Sequence, residues 1–275
     1  MFVRENAGRA SRGRARHTRA MTAADLPPRL QEIVALVRER GLIQLDELAA
    51  RFAVTPQTIR RDVGELADRA LVRRYRGGIA APSSVRNVAY ARRKTLLAAE
   101  KARIARACAA QVPDEASLFL NLGTTTGAVA AALTGHRGLR VVTNDLNVAN
   151  VLHGATDFDL TVAGGTVRRD GGIVGAATAE FLQGFKVDIG IIGISGIDAE
   201  GDLLDYDAHE VRVARTIIAN SRRVFLVADH TKFGRHATQR LCNVAEIDDL
   251  FTDRAPGPAM AAVLAAAGCR VHVAG

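Results

Sequence analysis

The pattern of apolar and polar positions changes character along the 275 residues. In the first third, apolar residues recur every three or four positions, the period of a helix packed on one side. The stretch PPRLQEIVALVRERG sets Leu30, Ile33, Val34 and Val37 on one stripe, opens on prolines and stops at Gly41. A helix punctuated at both ends is expected there. QLDELAARFA (44–53) follows, with Leu45, Leu48, Ala49 and Phe52 on one face. In VTPQTIRRDVGELADRA, Thr55 suits an N-cap, Pro56 the first helical position, and Ile59, Val63 and Leu66 the buried stripe. LVRRYRGGIAAPSS then reads as a small β-hairpin running into a Pro/Ser connector. Three short helices and a hairpin predict a winged helix-turn-helix.

After the connector, ARRKTLLAAEKARIARACAAQV (91–112) reads as one long basic helix. Continuous apolar runs then alternate with helical stretches. The runs are SLFLNL (117–122), LRVVTN (139–144), FDLTVAG (158–164), VDIGIIGIS (187–195) and RVFLVAD (223–229), with weaker ones at DDLFTD (248–253) and CRVHVA (269–274). Helices are expected around 125–134, 146–153, 176–184, 208–221 and 259–267. This alternation predicts an α/β fold with a mostly parallel sheet covered on both faces. The domain reading is a disordered basic arm over 1–25, a DNA-binding module over 26–82, a linker and connecting helix over 83–112, and an effector domain over 113–275.

Charge sharpens the division. Residues 1–20 carry six arginines against one acid, residues 83–110 seven cations against one acid, and everything beyond 110 is net acidic, although the whole chain is +8. A basic N-terminal third on an acidic body suggests a polyanion-binding module joined to something else. No hydrophobic core follows the first arginines, which excludes a secretory signal and makes Met21 a candidate start. No apolar run reaches the roughly 20 residues needed to span a bilayer. Cys108, Cys242 and Cys269 show neither CxxC nor Cys/His spacing, so neither a metal site nor a disulfide framework is expected, and a cytoplasmic location fits.

Helical geometry says which residues of the third helix can reach a groove. With Ile59, Val63 and Leu66 inward, Gln57 and Arg61 lie on the opposite side, flanked by Thr58 and Arg60. Gln reads adenine and Arg guanine by bidentate bonds, while Thr55 and the helix start suit a phosphate. Arg73, Arg74 and Arg76 on the wing are placed for the DNA backbone or minor groove. Double-stranded DNA is the expected partner.

LFLNLGTTTGAVAAAL places a Gly/Thr loop between the end of a strand and the start of a helix, where amides and the helix dipole favour an anion. Gly123, Thr124, Thr125 and Thr126 form it; without GK[ST] or GxGxxG, no nucleotide is indicated. Alone it is equally a tight turn with a threonine cap. Other strand ends add Asn144, Arg168, Asp205, Glu210 and Lys232, an inventory that matches a small phosphorylated polyol or sugar. Asp205 or Asp207 can equally cap a helix, and His209 and His230 can be structural.

In combination and in order, TPQTIRRDVGEL, RRYRGG, GTTT, TND, GGTVRRDGGIVG, DIGIIGISGID and VADHTKFGR resemble the DeoR family of bacterial transcriptional repressors, from about residue 26 to 253. The resemblance implies a sensor fold shared with ribose-5-phosphate isomerase, glucosamine-6-phosphate deaminase and CoA transferases. It further implies a homo-oligomer, commonly a tetramer, without a cofactor. For the branch it most resembles, the implied effector is glycerol 3-phosphate, with Gly123–Thr126 and Lys232 at the phosphate and Asp205 and Glu210 near hydroxyls. Thr231 stands where the family often has serine. The competing readings are a phosphosugar isomerase or deaminase, since a fold does not settle function, and an activator of the same architecture.

Overall fold

A computed structural model describes residues 26–40, 42–68, 71–75, 77–80, 90–154 and 157–275. The basic arm with its candidate start, Arg76 and most of the connector lie outside the described residues. The chain divides into two compact units, Met1–Ala81 and Pro82–Gly275.

In the first unit, α1 (Pro28–Arg40), β1 (Leu42–Gln44), α2 (Leu45–Arg51), α3 (Pro56–Asp68), β2 (Arg73–Tyr75) and β3 (Gly78–Ala80) follow one another. The expected stripes meet in one core: Ile33, Leu48, Ile59, Leu66 and Ile79 are fully buried in it. Thr55 caps α3, its hydroxyl accepting from the Thr58 N–H at 3.2 Å. The hairpin is a three-stranded sheet, because Leu42–Gln44 pairs antiparallel with β3. Three residues between two helices give no period to read, so that strand went unexpected. Asp62 on α3 turns inward, where Arg29 of α1 holds it with two bonds of 2.7 and 3.2 Å.

The second unit opens with two helices, α4 (Tyr90–Thr95) and α5 (Ala98–Ala109), where one was expected. Leu97 separates them: it is buried and left-handed, at φ 53° and ψ 40°. A leucine rarely takes that conformation, and its burial holds it there. Then come β4 (Ser117–Leu120), α6 (Thr124–Leu133), β5 (Arg140–Thr143), α7 (Leu146–Leu152), β6 (Asp159–Val162), the hairpin β7 (Thr166–Val167) and β8 (Ile173–Val174), and α8 (Ala176–Gln183). The rest is β9 (Val187–Gly193), β10 (Gly196–Ile197), β11 (Asp202–Asp205), α9 (Ala208–Ala219), β12 (Ser221–Val227), β13 (Gln239–Asn243), β14 (Asp249–Thr252), α10 (Pro258–Ala266) and β15 (Arg270–Val273).

Seven of these strands form one parallel sheet in the order β15-β14-β12-β9-β4-β5-β6. Alternate residues face opposite layers: Leu118, Leu120, Ile189, Ile191 and Phe225 pack with α5, α6 and α7, whereas Phe119, Ile192, Val224 and Leu226 pack with α8, α9 and α10. Strand order reverses between β4 and β9, and loops leaving neighbouring strands in opposite directions open a crevice there. A small antiparallel sheet, β10-β11-β13, follows β9.

The far end of the large sheet is tied by one acid. Asp249, 1% exposed, accepts from Arg223 at 2.6 Å, Arg270 at 2.9 and 3.0 Å, and His272 at 2.8 Å. Burial alone would raise its pKa, yet those three donors hold it near 2. A depressed carboxylate contributes stability above its unfolded value and loses it as pH falls through the folded one. Asp249→Asn should therefore lower stability at pH 7 by about 2 kcal/mol, and the gap to the parent should close between pH 4 and 2. Chemical denaturation at those pH values checks this; a gap independent of pH would contradict it.

Candidate functional site

At the end of β4 the chain runs Asn121–Leu122–Gly123 into α6. Gly123, at φ 151°, leaves no room for a side chain, since an added Cβ would sit 2.9 Å from Thr126 Oγ1. The two amides before the helix are taken from behind. Leu122 N–H donates to Asn121 Oδ1 at 2.8 Å and to Asn144 Oδ1 at 3.2 Å, and Gly123 N–H donates to Asp145 Oδ2 at 3.2 Å. Asn144 also donates to the Ile173 carbonyl at 3.0 Å, and Asp145 caps α7 through the Asn147 N–H at 2.8 Å. Asn144, expected among the ligand residues, is wholly buried in this brace and does not line the cavity. The first-turn amides of α6, from Thr124, Thr125 and Thr126, have no carbonyl four residues back and are the donors left over.

They open on a cavity of about 40 Å³ at the switch point between β4 and β9. Gly123–Thr126 form one wall, Gly193–Ser195 another, and Asp205, Glu210, Lys232 and Arg93 complete it. Sequence reasoning missed Arg93, Ser195 and the neighbouring Lys101. Lys101 did carry a signal: it shares the helical stripe of Ile104, Ala105 and Cys108, and a charge on an apolar stripe asks for a reason.

The cations crowd one another. Burial, aided by Lys232 and Arg93, pulls Lys101 down to about 8 against the opposing charges of Asp229 and Glu100. Lys101 Nζ donates to the main-chain carbonyl of Arg93. Burial likewise depresses Lys232, and Arg235 and Arg93 add to it. Lys232 belongs to a short 3-10 turn, His230–Lys232, capped by Asp229, whose carboxylate accepts from the Thr231 N–H at 3.0 Å. His230 turns to Asp253 at 2.6 Å, a structural pairing.

The carboxylates face them. Asp205, at the end of β11, accepts from Ser195 Oγ at 3.1 Å and from the Tyr206 N–H at 2.6 Å, and burial raises its pKa. Burial and the charge of Asp205 push Glu210 up to about 7, against Arg168. Asp207 caps α9, accepting from the His209 N–H at 2.8 Å. Arg168, expected at the ligand, does not line the cavity. It bonds Glu210, Asp207 at 3.0 Å and Asp170 at 2.5 Å, three acids that consume its charge.

In the first unit, Gln57, Arg60 and Arg61 are exposed along α3, with Thr55 exposed and Thr58 half-buried at its start. Arg73 is half-buried and Arg74 exposed on β2; Arg76 lies outside the described residues. Gly64 makes room within the unit, since a Cβ there would meet an Arg74 guanidinium nitrogen at 2.6 Å.

Glu210 gives the cavity a pH signature. Its folded value lies above the ordinary 4.5, so the folded chain holds a proton that the unfolded chain has lost, and stability falls as pH rises from about 4.5 to about 7. Glu210→Gln removes that slope. The Tm of the variant relative to the parent should climb by several degrees between pH 5 and 8, read by calorimetry; a constant difference would exclude the buried proton.

The DeoR C terminal sensor domain model matches residues 97–254, and the DeoR-like helix-turn-helix domain model matches residues 29–85. The "Glycerol-3-phosphate regulon repressor" of Escherichia coli (strain K12) is 49% identical over 233 residues, covering 84% of this chain and 92% of the relative. The protein of the same name from Haemophilus influenzae is 50% identical over 228 residues, covering 83% and 89%. The "HTH-type transcriptional repressor CsqR" of Escherichia coli (strain K12) is 39% identical, covering 85% and 90%. Of solved structures, ribose 5-phosphate isomerase from Plasmodium falciparum is similar at 14% identity and a TM-score of 0.36, covering 48% of this chain and 52% of that one. With both of its family models matched in order and relatives of that identity aligned along most of its length, this chain belongs to the DeoR family of helix-turn-helix transcriptional regulators.

Proposed function

We propose that this chain is an operator-binding repressor whose hold on DNA is relieved by a small phosphorylated polyol, glycerol 3-phosphate. One observation carries the effector half. Arg93 and the depressed Lys232 line the cavity beside the free amides at the start of α6, with Asp205, Ser195 and Glu210 on the other side, and the depressed Lys101 adjoins it through its bond to the Arg93 carbonyl. A phosphate dianion there relieves the repulsion among the cations and accepts from the amides. A carboxylate and a carboxyl titrating near neutrality can accept from and donate to the hydroxyls of a three-carbon polyol. The name carried by the relatives at 49 and 50% identity agrees with that ligand. Gly123–Thr126 and Lys232 hold the phosphate, with Asp205 and Glu210 at the hydroxyls; Asn144 and Arg168 support the site from outside.

The DNA half is residues 26–82. Gln57 and Arg61 read bases, flanked by Thr58 and Arg60, while Thr55, Arg73, Arg74 and Arg76 meet the backbone. Burying Asp62 against Arg29 keeps its charge off this face. The heads act as pairs in a homo-oligomer, a tetramer on the family's pattern, because operator half-sites require two-fold partners. Effector and operator are linked thermodynamically: each weakens the other's binding by the same factor. The chain senses its ligand without turning it over.

Saturating glycerol 3-phosphate should weaken operator binding at fixed salt by at least about tenfold; unchanged operator affinity, or robust turnover of phosphosugars by the pure chain, would overturn the reading. Arg61→Ala should narrow the gap between cognate and random DNA, whereas Arg74→Ala should weaken both alike and flatten the salt dependence. Anion binding raises the lysines toward their ordinary values, so it takes up a proton. Affinity for glycerol 3-phosphate should accordingly fall as pH rises through about 8, the value of Lys101. Calorimetry in buffers of different ionisation enthalpy measures that uptake directly, and its absence at pH 8 would remove the lysines from the site.

A further inference from the structure

Arg93 stands between two anion sites. It lines the cavity beside the Gly123–Thr126 loop, and its Nη2 also lies 3.9 Å from Asp170 Oδ2, with the two side chains 17% and 13% exposed. Asp170 sits at the tip of the β7–β8 hairpin and has nearer partners: Arg168 at 2.5 Å and the Gly172 N–H at 3.2 Å. The Arg93–Asp170 pair is therefore long and replaceable. Meanwhile the charge of Arg93 acts on Lys101, Lys232, Asp205 and Glu210 alike, so it reaches the whole cavity.

The element that carries Arg93 is short, and the Lys101 Nζ bond to the Arg93 carbonyl ties it to α5 across a joint. α4 is six residues long and is set off from α5 by Leu97 at φ 53°. Beyond that joint α5 is anchored, with Ile104, Ala105 and Cys108 in the core below the sheet. The cavity's 40 Å³ holds only a few waters, on the measure by which one water needs roughly 10–15 Å³. A three-carbon phosphate is larger than a few waters, and a wall that can give would help to seat it. The loop wall is braced by Asn144 and Asp145, and the Asp205 wall is hydrogen-bonded within its sheet. The Arg93 wall has the joint behind it.

We propose that Arg93 is a transferable latch, which exchanges the Asp170 carboxylate for the phosphate of the effector and moves α4 about the Leu97 joint as it does so. The proposal rests on the phosphate-effector reading above. A dianion within charge-assisted reach, about 2.7–2.9 Å, outcompetes a monoanion at 3.9 Å that is already shared with Arg168. α4 is also the first described helix after the DNA-reading unit along the chain, so the exchange acts where the connection enters the sensor.

The test uses the full chain with glycerol 3-phosphate, calorimetry for affinity, and amide hydrogen exchange over residues 90–100. In the parent, ligand should change exchange across the α4–α5 joint. Arg93→Gln should weaken glycerol 3-phosphate by about tenfold or more and abolish that change. Asp170→Asn should do the opposite, tightening glycerol 3-phosphate by about threefold or more and lowering the concentration that releases operator. A misfolded variant cannot bind more tightly, so the sign of that second effect guards the first. If the parent binds glycerol 3-phosphate but both variants match it, the latch is wrong and the effector reading stands. If the parent binds none, both fall.

Discussion

Two amide hydrogens at the end of β4 set the terms for the site. A parallel strand that turns into a helix leaves N–H groups pointing into the crevice, and a buried amide without a partner costs free energy. Here Leu122 and Gly123 are satisfied by side chains from the neighbouring strand end, Asn144 and Asp145. The same two residues reach onward to the β8 backbone at Ile173 and to the first turn of α7. The loop is thereby fixed between β4 and β5, so the donors that remain, those opening α6, face one defined volume. Thr143 closes the arrangement from below, its hydroxyl donating to the Leu120 carbonyl at 2.7 Å. Every other wall of the cavity is placed relative to this braced loop.

Around it the chain keeps several charges that burial opposes. Lys101 and Lys232 are depressed, and Asp205 and Glu210 are raised, each primarily by burial. Contrast the acids with structural duty. Asp249 and Asp62 are as deeply buried, yet each is saturated by arginine, and Asp249 is pulled down to about 2. The comparison separates two uses of burial within one chain: charges paired to completion where they tie elements together, and charges left partly frustrated where a ligand can complete them.

Legibility in the sequence followed the length of the periodic signal. All seven strands of the large sheet were expected within a few residues; burial on both faces writes a continuous apolar signal into the inner strands β4, β9 and β12, while the edge strands β6 and β15 are exposed or half-buried. The strands Leu42–Gln44, Gly196–Ile197 and Gln239–Asn243 are two to five residues long and partly polar, and pairing partners rather than local pattern define them. The helix expected over 91–112 fails at Leu97, where nothing in ARRKTLLAAEK marks a left-handed residue. Among the site residues, Gly123–Thr126, Asp205, Glu210 and Lys232 do meet around one cavity. Asn144 and Arg168 looked equivalent to them in sequence, since strand ends show which polar residues come near a crevice but not which hydrogen bonds already occupy them. Arg93 precedes every strand of the large sheet, and the contact of α4 with α6 brings it to the loop.

On the phosphorylated-polyol reading proposed above, the cavity would divide recognition between backbone and side chains, and the two halves come from different layers of the fold. The large sheet supplies amides and a helix start, which select for an anion and are indifferent to what it is attached to. The small β10-β11-β13 sheet supplies Asp205, and the start of α9 supplies Glu210, groups that can tell a hydroxyl from a hydrogen. Because burial holds Glu210 near 7, the same carboxyl can donate or accept at neutral pH, so it matches a hydroxyl without a separate donor. A site arranged in this way can change its polyol by substitutions on the small sheet and α9 while the phosphate grip stays as it is. Ligand identity within such an architecture is therefore to be sought at residues 195, 205 and 210 rather than in the glycine–threonine loop.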